Sequence, residues 1–442
     1  MTANRSAGWG MGALPRVVRG AGSYLYDAAG RRYLDGSGGP AAFSIGHGNA
    51  EVNAAIAGQL AQVACGYRYL FTSEPLEELT RLLLSLCGPE FGHIVYSSSG
   101  SEAVESALKV ALQYWDARGL ASKKHFIARQ RSYHGNTLGA LSVSGFLERR
   151  RPFEGSLLDV TFVSAANAYR PLRGLEGAAL VEALAAELEE SIGALGAERV
   201  AAFIFEPVVG AAGGAVPAPE GYAQAVHAVC ARHGVLVIAD EVMCGAGRCG
   251  TWRALAHDGV VPDIMAVGKG LAGGYIPLAA TIVSRELGDT ILAAHGAILT
   301  GHTYSGHTTA CAAGLAVQRI IQRESLIARV RERGAVLLAE LRRTLARFAE
   351  VGDVRGRGYL IGLEFVRDRA TREPLPAERA FSQALGRRAF AGGLIIYPCA
   401  GNVGGTAGDT VIVAPPYNAS DAELAELVES LSRAVERTLA SG

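Results

Sequence analysis

The chain has 442 residues, 42 basic and 42 acidic side chains, no net formal charge, and 49% hydrophobic against 19% charged residues. That apolar content suits a large folded enzyme with more than one core. The charge balance leaves no bulk field to draw the protein to nucleic acid or anionic lipid, so neither is expected as a partner. Met1 to Gly20 holds no continuous apolar stretch of the signal-peptide kind, and no later run approaches the length of a membrane span, which reads as a soluble cytoplasmic protein. The seven cysteines are scattered; only Cys244 and Cys249 lie close together, without histidines at zinc spacing, so reduced thiols and no metal are expected. Only four of the basic residues are lysine: Lys109, Lys123, Lys124 and Lys269. At the first three, in polar or helical surroundings, arginine could serve equally well.

In chain order, residues 21–50 alternate around Ala-Gly turns and predict a short antiparallel prelude. From about Phe91 short apolar runs follow: His93 to Tyr96, His125 to Ala128, Val160 to Val163, Val200 to Phe205, Val235 to Ala239, Ile264 to Val267 and Ala279 to Val283. Helical patterns separate several of them, at Ala103, Ala107, Val110 and Tyr114 and from Leu175 to Leu195. Strands alternating with helices predict an α/β fold, a mostly parallel seven-stranded sheet covered on both faces. One long helical pattern runs from Thr308 to about Glu350, and strands and helices follow to Leu439. The expected division is a large domain over 61–315 and a smaller α+β domain from both chain ends, 1–60 and 316–442.

Lys269 lies in Asp263-Ile-Met-Ala-Val-Gly-Lys-Gly, at the end of an apolar strand with glycine on each side. Desolvation there lowers a lysine's pKa and frees its amine as nucleophile or base, although a strand-end lysine can also merely snorkel to water. Asp240 ends the run Val235-Leu-Val-Ile-Ala, at the carboxyl edge where open sheets bind ligands. A buried carboxylate needs a cation, for which a protonated pyridine would serve; a plain helix cap is the alternative. Ser99 and Glu102 have capping-box spacing in Ser97-Ser-Ser-Gly-Ser-Glu, a helix start suited to a phosphate or to ordinary capping. Tyr133, beside His134 and Gly135, could stack on a planar ligand or simply pack. Gly245-Ala-Gly-Arg-Cys-Gly250 matches a dinucleotide fingerprint but is displaced from its strand and precedes no clear helix, which speaks against a nicotinamide site.

Together these motifs resemble the class III (subgroup II) pyridoxal-phosphate-dependent aminotransferases of fold type I. The likeness runs from the Tyr24-Leu-Tyr-Asp segment through Gly46-His-Gly, Ser99-Gly-Ser-Glu, Tyr133-His-Gly, Glu206-Pro-Val, Asp240-Glu-Val, Gly268-Lys-Gly and His302-Thr-Tyr-Ser to Ala414-Pro-Pro. The resemblance implies pyridoxal 5'-phosphate held by Lys269 through a Schiff base. Asp240 would pair with its ring nitrogen, Tyr133 and Val242 would sandwich the ring, and Gly100 and Ser101 beside Ser99 would receive the phosphate. His134 and Glu206 would complete the cofactor contacts. Thr303 would reach the phosphate of a neighbouring subunit, making a homodimer with shared active sites. Lys269, Asp240 and Tyr133 form the implied catalytic set. The implied reaction moves an amino group from a small-molecule amine donor to a carbonyl acceptor, ping-pong through pyridoxamine phosphate. An aminomutase, epimerase or decarboxylase on this scaffold, or a catalytically idle scaffold protein, are the alternatives.

Family members often carry an arginine that clamps a substrate carboxylate near the carboxyl-terminal loop. Here Tyr397 and Ala407 stand at the two corresponding places, and Ala41 lies in a small-residue segment where a bulky aromatic is common. An enlarged pocket follows, for a substrate not anchored as a simple α-amino acid, with Tyr67, Arg68 and Tyr69 as further lining candidates and Arg68 able to bind a carboxylate.

Overall fold

All seven apolar runs become strands of one sheet in the computed structural model, which describes residues 14–440. Most of the Met1 to Gly20 segment lies outside the described residues. In chain order the strands are β1 (Phe91–Ser97), β2 (His125–Arg129), β3 (Val160–Val163), β4 (Val200–Phe205), β5 (Leu236–Asp240), β6 (Ile264–Val267) and β7 (Ala279–Ser284). Their spatial order is β1-β7-β6-β5-β4-β2-β3. Only β7 runs against its neighbours; the pairs β6-β5, β5-β4, β4-β2 and β2-β3 are parallel. The central strands β4, β5 and β6 are buried along their whole length, because helices cover both faces, and this is why they read as unbroken apolar runs.

Helix α1 (Gly100–Ala117) leaves β1 and lays Ala103, Ala107, Val110 and Tyr114 against one face of the sheet. Gly177–Leu195 buries Leu180, Leu184, Leu188 and Ile192 on the other. Strands Val17–Ala21, Tyr24–Asp27 and Arg32–Asp35 form the antiparallel prelude, and Leu394–Ile395 pairs in parallel with the last of them. A second sheet joins Val351–Arg357, Leu360–Asp368, Ala407–Val413 and Tyr397–Val403.

Two expectations are corrected. The helix expected from Thr308 to about Glu350 is two helices, Thr308–Arg323 and Leu326–Leu345, broken where Ser325 adopts a left-handed φ of 52°. The apolar periodicity of Ile320, Ile321, Leu326 and Val330 crosses the break because both helices pack on the same core. Lys123, read as a position open to arginine, is buried: Nζ donates to the carbonyls of Ala197 and Val200 at 2.6 and 2.9 Å and sits 4.5 Å from the Trp115 ring centroid. Two backbone carbonyls reached at once by a single Nζ suit a compact ammonium there.

Candidate active site

The carboxyl ends of β1, β2, β4, β5 and β6 converge on one cavity of about 270 Å³. Each strand delivers a residue as it runs out of sheet pairing. After β1, Ser99 caps α1, its Oγ accepting from Glu102 N at 3.2 Å. The Glu102 carboxylate accepts from Ser98 N at 2.7 Å, one residue before the position a reciprocal box requires. The first turn of α1 then faces the cavity with Gly100 and Ser101. A helix N-terminus with free N–H groups favours an anion there. Gly100 is forced: a Cβ on it would stand 2.6 Å from Val242 Cγ1.

The loop after β2 carries Tyr133 and His134 to the cavity wall. Glu206, just past β4, holds that loop: one carboxylate oxygen accepts from Tyr133 N at 2.9 Å, the other from Gly210 N at 2.8 Å. Burial pushes the Glu206 carboxyl above its ordinary range, opposed by His134. Asp240 closes β5 with both oxygens engaged, one by Val242 N at 3.0 Å and the other by His134 Nδ1 at 2.8 Å. Protonated at Nδ1, His134 donates to Asp240 and fixes its orientation; its Nε2 is buried without a partner. Lys269, two residues past β6, has φ 42°, a left-handed conformation rare outside glycine. Burial lowers its pKa, opposed by the negative charge of Asp240 and Glu206.

Lys269, Asp240, Glu206, Tyr133, His134, Val242, Gly100, Ser101 and Tyr397 thus line a single cavity. Ser99 acts one residue behind it as the cap. Ala41 is buried in a cluster that includes the wall residues Met243 and Tyr397, and its neighbour Pro40 lines the cavity. Four expected residues lie elsewhere. Thr303 is exposed, and so are Tyr67, Arg68 and Tyr69, where Arg68 donates to the Tyr69 hydroxyl at 2.9 Å. A Cβ on Gly301 would meet Arg68 Nη1 at 2.7 Å, so the two segments are neighbours on one face of the chain. Residues that sequence reasoning missed include Arg149, which lines the cavity; its only sequence signal is a run of three arginines, Arg149 to Arg151, after Phe146. The Gly245 to Gly250 segment is a series of turns with Arg248 buried inside, and it opens no helix.

The donor set fits pyridoxal phosphate. Tyr133 and Val242 both line the cavity, and the absence of a Cβ at position 100 leaves room for Val242 there. A buried carboxylate can balance a ring N–H, a helix N-terminus suits a phosphate, and a desolvated lysine can bond a carbonyl carbon.

The comparisons agree with this chemistry. The class-III aminotransferase family model matches residues 9–435. The uncharacterized aminotransferase YodT of Bacillus subtilis is 42% identical over 430 residues, 97% of each chain. Diaminobutyrate–2-oxoglutarate transaminase of Halomonas elongata is 36% identical, over 95% of this chain and 90% of its own. The crystal structure of an amine transaminase from an uncultivated Pseudomonas species, in its PLP-bound form, superposes with a TM-score of 0.91 at 36% identity, covering 99% of this chain and 98% of that one. The chain belongs to the class-III aminotransferases, and it is a pyridoxal-phosphate-dependent enzyme of fold type I that transfers amino groups between amines and carbonyl compounds.

Proposed function

We propose that the cavity at the strand ends is where this transfer occurs, with Lys269 as proton carrier and covalent attachment point. One observation carries the reading: a desolvated lysine, a buried aspartate and a helix N-terminus, delivered by three different strands, share one cavity. Bound pyridoxal phosphate supplies a carbonyl that condenses with amines and a ring that withdraws electrons from the bond being broken. Its phosphate would rest on the N–H groups at Gly100 and Ser101. Asp240, oriented by His134, would hold the proton on the ring nitrogen. Tyr133 and Val242 would bound the ring faces, and Glu206 holds the Tyr133 loop by its backbone. Lys269 Nζ, with its pKa lowered, would take the proton from the substrate carbon that bears nitrogen and return it on the far side of that nitrogen. Placed proton transfer of this kind contributes roughly 10²–10⁴-fold.

The same reading assigns a homodimer. Thr303, Tyr67, Arg68 and Tyr69 lie away from their own chain's cavity, on a face where Tyr69, Leu70 and Phe71 are 70%, 72% and 67% exposed. Such a cluster suits a second copy, whose cavity these residues would complete. The domain division at 61–315 is supported by the pairing of Leu394 with Leu34, which ties the chain ends together. Among the described residues no helix is long and apolar enough to cross a membrane. The substrates are small amines or amino acids and carbonyl acceptors. The carboxyl-terminal hairpin contributes Tyr397, and no cation, to the cavity.

Lys269→Ala should abolish turnover and the visible band of the lysine-bound cofactor. Turnover retained with cofactor bound would overturn the assignment.

A further inference from the structure

Besides Lys269, the cavity is lined by one more basic side chain of the lysine and arginine type, Arg149. It sits on α2 (Leu147–Arg150), a single turn that follows Phe146. Its guanidinium carbon lies 5.5 Å from the Tyr133 ring centroid and 5.6 Å from that of Phe146, and these two rings meet edge to face at 6.4 Å. Among the described residues, no carboxylate pairs with this guanidinium and no carbonyl accepts from it. Its neighbours are engaged: Arg150 donates to Leu141 O at 3.0 Å, and Arg131 to Gly401 O at 3.2 Å.

The turn that carries Arg149 is exposed at Leu147, Glu148 and Arg149 and lies against a neighbouring hairpin. Gly401 and Gly405, on the hairpin that also bears Tyr397, approach it so closely that a Cβ on them would stand 3.1 Å from Glu148 Oε1 and 2.9 Å from Leu147 Cδ1. Burial pushes the Tyr397 phenol up to about 12, so it stays a neutral hydrogen-bond donor on the same wall. An exposed guanidinium beside two aromatic rings, with no carboxylate or carbonyl partner among the described residues, on a residue that lines a reaction cavity, can receive a planar anion.

We propose that Arg149 is the carboxylate anchor of this active site. It binds the acid group of an amino-acid donor or an oxo-acid acceptor, leaving the carbon that exchanges nitrogen toward Lys269. The substrate class is therefore amino and oxo acids, with the anchor supplied by the large domain where Tyr397 and Ala407 stand on the hairpin. This rests on the transamination reading above.

The test compares holoenzyme with Arg149→Gln and Arg149→Lys. Two ligand sets are used: 4-aminobutyrate against butylamine and L-alanine against isopropylamine as donors, and glutarate as an acid that cannot react. Donor conversion is read from loss of the lysine-bound cofactor band, and glutarate from the concentration that half-perturbs that band. Loss of a charge-assisted pair should raise the ratio of acid to neutral-amine KM by about 10–100-fold in Arg149→Gln. Glutarate binding should weaken by a similar factor, and Arg149→Lys should recover part of both. An unchanged ratio with unchanged glutarate binding overturns the anchor, as does wild-type enzyme that binds no acid. If no donor converts the wild-type cofactor band while glutarate still perturbs it, the assignment of Lys269 and this cavity to transamination fails instead and the anchor stands.

Discussion

Gly100→Ala tests the shape of the cofactor slot most directly. The added methyl would sit 2.6, 3.1 and 3.4 Å from Cγ1, Cγ2 and Cβ of Val242. Carbon atoms in ordinary contact stand about 3.5–4.0 Å apart, so the closest pair is roughly 1 Å too near. Val242 cannot easily yield. Its backbone N–H is held by Asp240 at 3.0 Å, and its branched side chain is stiff at χ1. Overpacking of this kind costs about 1–3 kcal/mol. Alanine also gains about 0.5–1 kcal/mol over glycine inside a helix, less at its first position, so the crowding dominates. The expected net loss of about 1–2 kcal/mol corresponds to roughly 5–30-fold weaker cofactor binding if it falls on the slot. The assay is a titration of apoenzyme with pyridoxal phosphate, with the thermal midpoint of the apoenzyme as a control for folding. Val242→Ala removes both methyls that the new Cβ would strike, so the double variant should bind cofactor better than the sum of single losses predicts, by about 0.5–3 kcal/mol. Strict additivity, or undiminished affinity in Gly100→Ala, would refute the reasoning.

The remaining predictions concern the frame around the site. Burial raises the Glu241 carboxyl from 4.5 to about 7, opposed by the N–H groups of Leu255 and Ala254. Because its folded pKa lies above its unfolded one, its contribution to stability is full below about pH 4.5 and is lost as pH rises through about 7. Glu241→Gln should therefore flatten the decline of unfolding free energy across that window, as measured by urea titrations at several pH values; an unchanged slope would refute it. Lys123→Arg should destabilise the fold by about 1–3 kcal/mol, read as a lower denaturant midpoint, since the larger guanidinium must displace packing to reach the two carbonyls. Phe71→Asp should shift the protein toward monomer in sedimentation and weaken cofactor binding together; a monomeric wild type with full affinity would contradict the shared site.

Much of the site was legible because parallel strands announce themselves. β3, β4 and β6 begin and end at the residues where their apolar runs do, and a polar residue one or two positions after each run falls at the sheet's carboxyl edge. Asp240 and Lys269 stand out in the sequence for that reason. Ser325 does not: nothing among Arg323, Glu324 and Ser325 resembles a helix stop, and the turn exists because two helices must change direction over one core. Lys123 was misread through its polar neighbours, while the carbonyls that bury it come from residues 197 and 200.

By itself, then, the sequence determined the alternation of strands and helices, the fold class and the chemical types at the strand ends, since these depend on periodicity and near neighbours. Only the tertiary structure decided which of those side chains meet. It alone shows His134 against Asp240, Glu206 under the Tyr133 loop, and Arg149, with no carboxylate partner among the described residues, in the same cavity as Lys269. Those contacts join segments distant in the chain, His134 and Asp240 more than a hundred residues apart, and their geometry is set by how loops from five strands pack against one another, which no local pattern encodes.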